Sequence, residues 1–369
     1  MMPKKPKKSE KRGTANAPTT CTLSSSAGRL FPPALLSDIR LLIEGTRART
    51  AVAVNSEMVR LYWSIGERIR KDILASERAA YGEQIVHALS RQLSEDYGRG
   101  FNRANLFHMV RFAETFPDRK IVYALSRQLS WTHFRQIMYL EDPLQREFYT
   151  QMCRIERWST RTLQGKIQGM LYERTAISRK PGQLARQELA ALRDKDHVTP
   201  DLVFRDPYLL DFLGLKDAYS EKDLETAILR DLEHFLLELG SDFTFVARQK
   251  RITVDNEDYY LDLLFFHRRL RRLLAVDLKI GRFRAADKGQ MELYLRWLEK
   301  HERQPAEESP LGLILCAGKS DEHVELLELE RSGIRVAEYM TELPAREVLE
   351  RRLHEALRVA REHFKPVGD

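Results

Sequence analysis

The hydrophobic period of this chain changes once, near Asp201, and that change limits the fold more than any single residue does. Upstream, from Leu35 to about Arg193, apolar residues recur at helical spacing: Val59, Tyr62, Trp63, Ile65, Ile69 and Ile73, then Ile85, Leu89 and Leu93 four apart. Downstream, strand-length runs at 243–254, 259–266, 273–280, 311–316 and 334–339 alternate with helical stretches at 220–239, 285–301, 321–331 and 345–363. The second order reads α-β-β-β-α-β-α-β-α, which predicts an α/β (α+β) domain with a mixed central sheet behind an all-helical amino-terminal domain.

Local signals sharpen this division. Ser220-Glu221-Lys222-Asp223 resembles a capping box, with Asp in place of the longer Glu or Gln, and Gly240 closes the same helix. Asp255-Asn256-Glu257-Asp258 supplies turn residues between the first two strands. In the helical half, a Gly-containing corner at 97–101 leaves a helix-turn-helix or winged-helix arrangement open, with Arg91, Arg99, Arg103 and Arg111 facing phosphates or merely solvent. The string Ala-Leu-Ser-Arg-Gln-Leu-Ser stands at 88–94 and again at 124–130. Two copies do not make a solenoid, and they read as two helix openings. Residues 176–200 lose periodicity and look like linker. The expected domains are a basic disordered arm (1–29), a helical domain (34–193), a linker and lead-in (194–219) and a carboxy-terminal domain (220–369).

Charge is unevenly placed. The chain has 61 Lys and Arg against 54 Asp and Glu, a formal +7. Residues 1–29 hold seven basic residues and one acidic, a formal +6, which leaves the other 340 near neutrality. The arm either adds weak, salt-sensitive phosphate attraction or serves only as a solubilising tail. No run approaches the ~18 apolar residues of a membrane span, so no membrane partner is expected. Three cysteines are too few and too scattered for a disulfide framework or zinc cluster, and point to a reducing, cytoplasmic setting.

The chemistry concentrates between Tyr259 and Tyr294. Alternation places Leu261, Leu263 and Phe265 on one strand face, and Leu274, Val276, Leu278 and Ile280 on one face of the next strand. The opposite faces carry Asp262 on the first strand and Asp277 with Lys279 on the second. A hairpin loop centred between Arg269 and Leu270 opposes residues whose numbers add to 539, which sets Asp262 against Asp277. Two facing carboxylates repel each other unless a cation lies between them. A hard divalent ion such as Mg²⁺ takes one or two carboxylates together with water and phosphate. Lys279 could then orient or help deprotonate a water, or neutralise charge on a phosphate. The alternative is an internal Asp–Lys pair with the second Asp solvated. The tip His267-Arg268-Arg269-Leu270-Arg271-Arg272 beside this site could hold a phosphate backbone or be an ordinary polar turn. There is no Gly-Lys-Ser/Thr phosphate loop, Gly-x-Ser-x-Gly elbow or His-Glu-x-x-His.

Asp262, followed by Asp277-Leu278-Lys279 and preceded by a helix bearing Glu225, resembles the PD-(D/E)XK nuclease superfamily. Gln290 and Tyr294, one turn apart on the next helix, look like the Gln-x-x-x-Tyr motif of its RecB-like branch. The helical region, through Tyr97-Gly98-Arg99-Gly100-Phe101-Asn102 and Leu129-Ser130-Trp131-Thr132-His133-Phe134, is similar to YhcG-type proteins, and the likeness extends over most of residues 34–345. The resemblance implies an αβββαβ core in which Asp262 and Asp277 are metal ligands and Lys279 the catalytic lysine. Glu225 becomes an accessory acid supporting the metal, while Gln290 and Tyr294 orient substrate or site. The cofactor implied is Mg²⁺ or Mn²⁺. Asp277 stands where the motif often has Glu, one methylene longer, which bears on activity more than on fold.

The expected function is therefore metal-dependent hydrolysis of nucleic-acid phosphodiester bonds, with DNA the expected substrate and homo-oligomerisation left open. The rival readings are a non-catalytic nucleic-acid-binding module with a degenerate nuclease fold, and a protein-interaction scaffold.

Overall fold

The computed structural model describes residues 33–75, 79–215, 218–240, 242–342 and 344–363, so the basic arm and Cys21 lie outside the described residues. The chain divides into two compact units, Met1–Ala51 and Val52–Asp369. The described part of the first, residues 33–51, is the opening of helix α1 (Pro33–Ala75).

The second unit begins with a run of helices: the rest of α1, then α2 (Ala79–Tyr97), α3 (Arg103–Thr115), α4 (Arg119–Leu125), α5 (Trp131–Ile137), α6 (Pro143–Glu156), α7 (Thr160–Gln168), α8 (Leu171–Arg174), α9 (Gly182–Lys195) and α10 (Pro200–Val203). Short polar caps delimit them. Asn102 accepts from the Asn105 N–H at the start of α3, and Asp142 with Pro143 opens α6. Their apolar stripes meet in a core around Trp63, Phe112, Phe134, Phe148 and Tyr149. Among the described residues no strand precedes Tyr208, apart from an isolated bridge at Thr175, so the winged-helix option lacks its wing.

Three expectations for this half need correction. Residues 176–200 are not linker: α9 buries Ala185, Leu189 and Leu192 in the same core, and its stripe is three residues long, too sparse to stand out from its charged neighbours. The stretch 194–219, expected as linker and lead-in, contains α10 and strand β1 (Tyr208–Leu209), and buries Leu202, Phe204, Tyr208, Leu210 and Leu213. The repeated heptapeptide opens no helix. Its first copy lies inside α2, whereas its second runs off the end of α4 into the Ser130 cap of α5. Identical local sequence takes two structures because its neighbours differ.

The remaining elements are α11 (Glu221–Arg230), α12 (Leu232–Leu239), β2 (Phe243–Val254), β3 (Glu257–His267), β4 (Arg272–Arg282), α13 (Ala285–His301), β5 (Leu311–Gly318), α14 (Asp321–Leu326), β6 (Ile334–Met340) and α15 (Arg346–His363). Ser220 and Asp223 form the capping box, but the helix expected at 220–239 breaks at Asp231, whose ψ of 45° ends α11 and starts α12. The sheet order is β1-β6-β5-β4-β3-β2, antiparallel among β2, β3 and β4 and parallel from β4 to β1. One face, with Leu263, Phe265, Leu274, Val276 and Leu278, packs under α11 and α12. The other, with Leu264, Ala275, Ile314 and Cys316, packs under α13 through Met291, Tyr294 and Leu298. The result is a three-layer α/β/α arrangement around a mixed sheet.

Candidate active site

The hairpin β3–β4 sets the site. Its register pairs Leu263 with Val276, Leu264 with Ala275 and so on to His267 with Arg272, and every pair adds to 539 as the loop position requires. Pairing stops there, one step short of Asp262 and Asp277. Asp262 does not sit across a closed ladder from Asp277. Its Oδ2 instead accepts from the Leu278 N–H at 2.8 Å, standing in for the backbone acceptor that β3 no longer supplies. The strict alternation expected of β3 also slips here. Leu261 packs in the core under α13, opposite to Leu263 and Phe265, and Ile280 is exposed rather than buried.

Asp277 is buried, and its Oδ2 lies 2.8 Å from Lys279 Nζ. Burial, helped by the neighbouring Asp262 charge, pushes the Asp277 carboxyl up to about 6 against the pull of Lys279. Burial also raises Asp262, although the Leu278 N–H, the Lys279 charge and a Gln249 bond favour its ionised form. For Lys279, burial opposes the charge, yet Asp277, Glu221 and Asp262 together raise its pKa, so it is an ammonium at neutral pH.

Glu225 reaches the same place from α11. It is buried, and Gln249 Nε2 donates to both its Oε2 (2.8 Å) and Asp262 Oδ1 (3.1 Å). Glu225 Oε1 has no hydrogen bond, with Arg248 Nε 3.8 Å away. On α13, Gln290 Nε2 donates to the Tyr294 hydroxyl (2.6 Å), which itself donates to the Tyr260 carbonyl (3.1 Å). Burial raises the Tyr294 pKa, and the charges of Asp277, Lys279 and Asp262 all act on it. Thus all six sequence-derived residues converge on the open end of the β3–β4 hairpin.

The basic tip does not. It lies five residues along the ladder from Asp262, roughly 17 Å at strand rise, and three of its four arginines are engaged elsewhere. Arg269 bonds Asp242 and the Ile155 carbonyl, while Arg271 and Arg272 face Glu308. His267 is buried.

Gln249, Arg248 and Glu221 also reach the site, although no motif in the sequence marks them. Glu221 Oε1 accepts from the Ile280 N–H at 3.3 Å. Gln249 sits in a positive-φ conformation (44°) that turns its side chain out of strand alternation, and nothing in residue type foretells that.

The donor set suits a hard cation: carboxylate oxygens only, two of them from aspartates whose ionisation is disfavoured without added positive charge, and one Glu225 oxygen without a hydrogen bond. Among the described residues no three His, Cys, Asp or Glu side chains form a ready cage, so water and phosphate would complete the shell.

Two family descriptions match this chain: "DUF1016 N-terminal domain" over residues 38–174 and "YhcG PDDEXK nuclease domain" over residues 201–356. The Escherichia coli (strain K12) protein described as "Putative nuclease YhcG" is 37% identical over 335 residues, covering 82% of this chain and 88% of that protein. The chain belongs to the YhcG family. Its six-stranded sheet with flanking helices is that family's PD-(D/E)XK fold. A solved repair endonuclease from Pyrococcus abyssi is similar over 35% of this chain and 50% of its own, at 18% identity and a TM-score of 0.23, too slight a likeness to carry weight.

Proposed function

We propose that this protein is a metal-dependent nuclease that hydrolyses phosphodiester bonds, with DNA as its substrate. The observation that carries the reading is the convergence of Glu225, Asp262, Asp277 and Lys279 from three separate elements on one strand end, in a family whose domain is described as a nuclease. Asp262 and Asp277, with Glu225 in support, would hold Mg²⁺ or Mn²⁺. When bound, such an ion supplies Lewis acidity towards phosphate and lowers the pKa of water.

The chain's own residues do the rest. Lys279 presents an ammonium that is aligned by Asp277 and can stabilise negative charge as it grows on the phosphate. The Leu278 N–H and Gln249 fix the orientation of both Asp262 oxygens, so little rearrangement is needed when substrate arrives. Tyr294 has its hydroxyl engaged by Gln290 and the Tyr260 carbonyl, so the pair positions α13 against β3 rather than touching substrate. No described helix is long and apolar enough to cross a membrane. The thiols of Cys153 and Cys316 are buried and unpaired, which suits a cytoplasmic setting.

The rival reading, a binding module with a degenerate site, has one observation in its favour: Lys279 already neutralises Asp277, leaving less need for a cation. Assays on supercoiled, linear and single-stranded DNA and on RNA, with EDTA, Mg²⁺ or Mn²⁺, separate the two. Metal-dependent cutting of DNA supports the nuclease. Binding without cutting under every condition favours the module.

A further inference from the structure

Neutrality of the folded body conceals a strongly polarised region. Residues 97–139 hold seven basic residues (Arg99, Arg103, Arg111, Arg119, Lys120, Arg127 and Arg135) against only Glu114 and Asp118, a formal +5. Beyond that stretch and the arm, the remaining 297 residues carry a formal −4. All seven basic side chains are exposed. Solvated helix faces normally mix both signs and lace them into pairs. Here only Arg103 has a carboxylate within ion-pair reach among the described residues, Glu83 at 3.8 Å, itself exposed.

The placement is ordered. On α3 the buried face is Leu106, Met109, Phe112 and Ala113, which leaves Arg103 and Arg111 exposed in one stripe on the outer side, with the half-buried Phe107 between them packed back towards Leu106 and Met109. Arg103 lies over the Phe107 ring at 5.4 Å. Beside the stripe, His108 bonds the Tyr139 hydroxyl (2.6 Å) and receives Arg135 Nη2 (3.3 Å), which ties the end of α5 to α3. Arg99 precedes α3 in a 3-10 turn whose Phe101 stacks edge-on with Tyr97, centroids 6.0 Å apart. Tyr97 is 71% and Tyr139 51% exposed. Exposed guanidiniums, only one of them near a carboxylate, beside the exposed Tyr97 and Tyr139 rings are what a phosphodiester backbone with accessible bases requires.

We infer that the outer face of α3 with the end of α5, centred on Arg103, Arg111 and Arg135, is a nucleic-acid-holding surface separate from the residues that cut. The inference deepens the nuclease reading by giving the substrate strand a second point of attachment, and it explains how a nearly neutral body can bind a polyanion. Burial, the Arg103 and His108 contacts and the Asn102 cap hold the stripe rigidly, so its charges need little ordering on binding.

The test is a binding measurement in EDTA, where cleavage plays no part. Fluorescence anisotropy with short labelled duplex and single-stranded DNA is recorded over a salt series for the full-length protein and for the triple variant R103Q/R111Q/R135Q. A control triple, R251Q/R271Q/R331Q, removes the same charge from exposed arginines that are already ion-paired. The stripe variant should bind roughly tenfold or more weakly, and its log–log salt slope should flatten by about 2–3, near 0.9 for each lost phosphate contact. Arg→Lys at the same three positions should retain most of the slope. The control should bind like wild type. Equal losses in both triples, no loss in the stripe variant with its melt unchanged, or no binding by wild type would each overturn the proposal. Wild type that binds through the stripe yet cuts nothing with either metal would sink the nuclease reading and leave this one standing.

Discussion

Asp262 Oδ2 accepts a hydrogen bond from the Leu278 N–H at 2.8 Å, at the step where β3 and β4 cease to pair. The same carboxylate that is expected to hold a cation therefore also completes the sheet. Asp262→Ala should leave that N–H without its partner and lower stability by about 1–3 kcal/mol. Asp262→Asn keeps an acceptor for Leu278 by turning its amide, at the expense of the Gln249 bond, and should melt closer to wild type. Mg²⁺ or Mn²⁺ should raise the wild-type melting temperature by mass action and leave both variants nearly unmoved. Three melts per protein, in EDTA, Mg²⁺ and Mn²⁺, check this. A full metal response in Asp262→Asn would remove Asp262 from the ligand set.

Lys279→Met preserves the stem of the side chain and deletes its charge. Divalent-dependent cleavage should fall by at least about a hundredfold in kcat, since the ammonium acts on charge that develops only in the transition state. KM should change little. Asp277 then lacks its counter-ion, so the variant should depend more, not less, on metal for stability. Unaltered kcat would refute the catalytic assignment.

His267 supplies a pH signature away from the site. Burial, with Arg269 and Arg272 adding to it, drives its pKa down to about 4, and its Nδ1 accepts from the Leu270 N–H in the hairpin tip. A histidine held neutral in the fold binds its proton first in the unfolded chain, so stability is lost as pH falls from about 6.5 towards 4. At pH ~5 the loss attributable to this group is about 2 kcal/mol. His267→Asn can offer Oδ1 to the same N–H without titrating. Urea unfolding at neutral and mildly acidic pH should show the variant gaining on wild type by that amount under acid conditions. Parallel pH profiles would contradict the assignment.

Two glycines separate packing from propensity. A methyl group on Gly66 of α1 would fall 1.8 Å from the Met109 carbonyl oxygen of α3, a backbone atom that cannot step aside. Gly66→Ala should cost several kcal/mol, in the range of ~1–3 or more for overpacking. Gly289, in α13, has nothing within 4 Å of the added methyl, and Gly289→Ala should stabilise by up to about 1 kcal/mol through helix propensity alone. Thermal melts of both single variants should move in opposite directions.

Periodicity and local chemistry made part of this fold legible. The change from helices alone to strands and helices after Asp201, the β3–β4 register, the Ser220 cap and the Asp255–Asn256 turn, both residues at positive φ, follow from alternation, loop length and residue chemistry within a dozen positions. Asp262, Asp277 and Lys279 were legible for the same reason, because a hairpin brings them together along one short stretch of chain. Tertiary structure alone decided the rest. Gln249 joins Glu225 to Asp262 only because a left-handed backbone turn meets a helix 24 residues upstream. The sparse stripe of α9 becomes helix because a core is waiting for Leu189 and Leu192, and β1, two residues long, exists only because β6 offers it an edge. The basic tip is adjacent to the site in sequence, yet strand rise carries it away, while Arg135 of α5 reaches His108 of α3, 27 residues upstream. Such juxtapositions depend on how helices and strands pack, and packing energy is shared among residues far apart in the chain, so no local pattern records it.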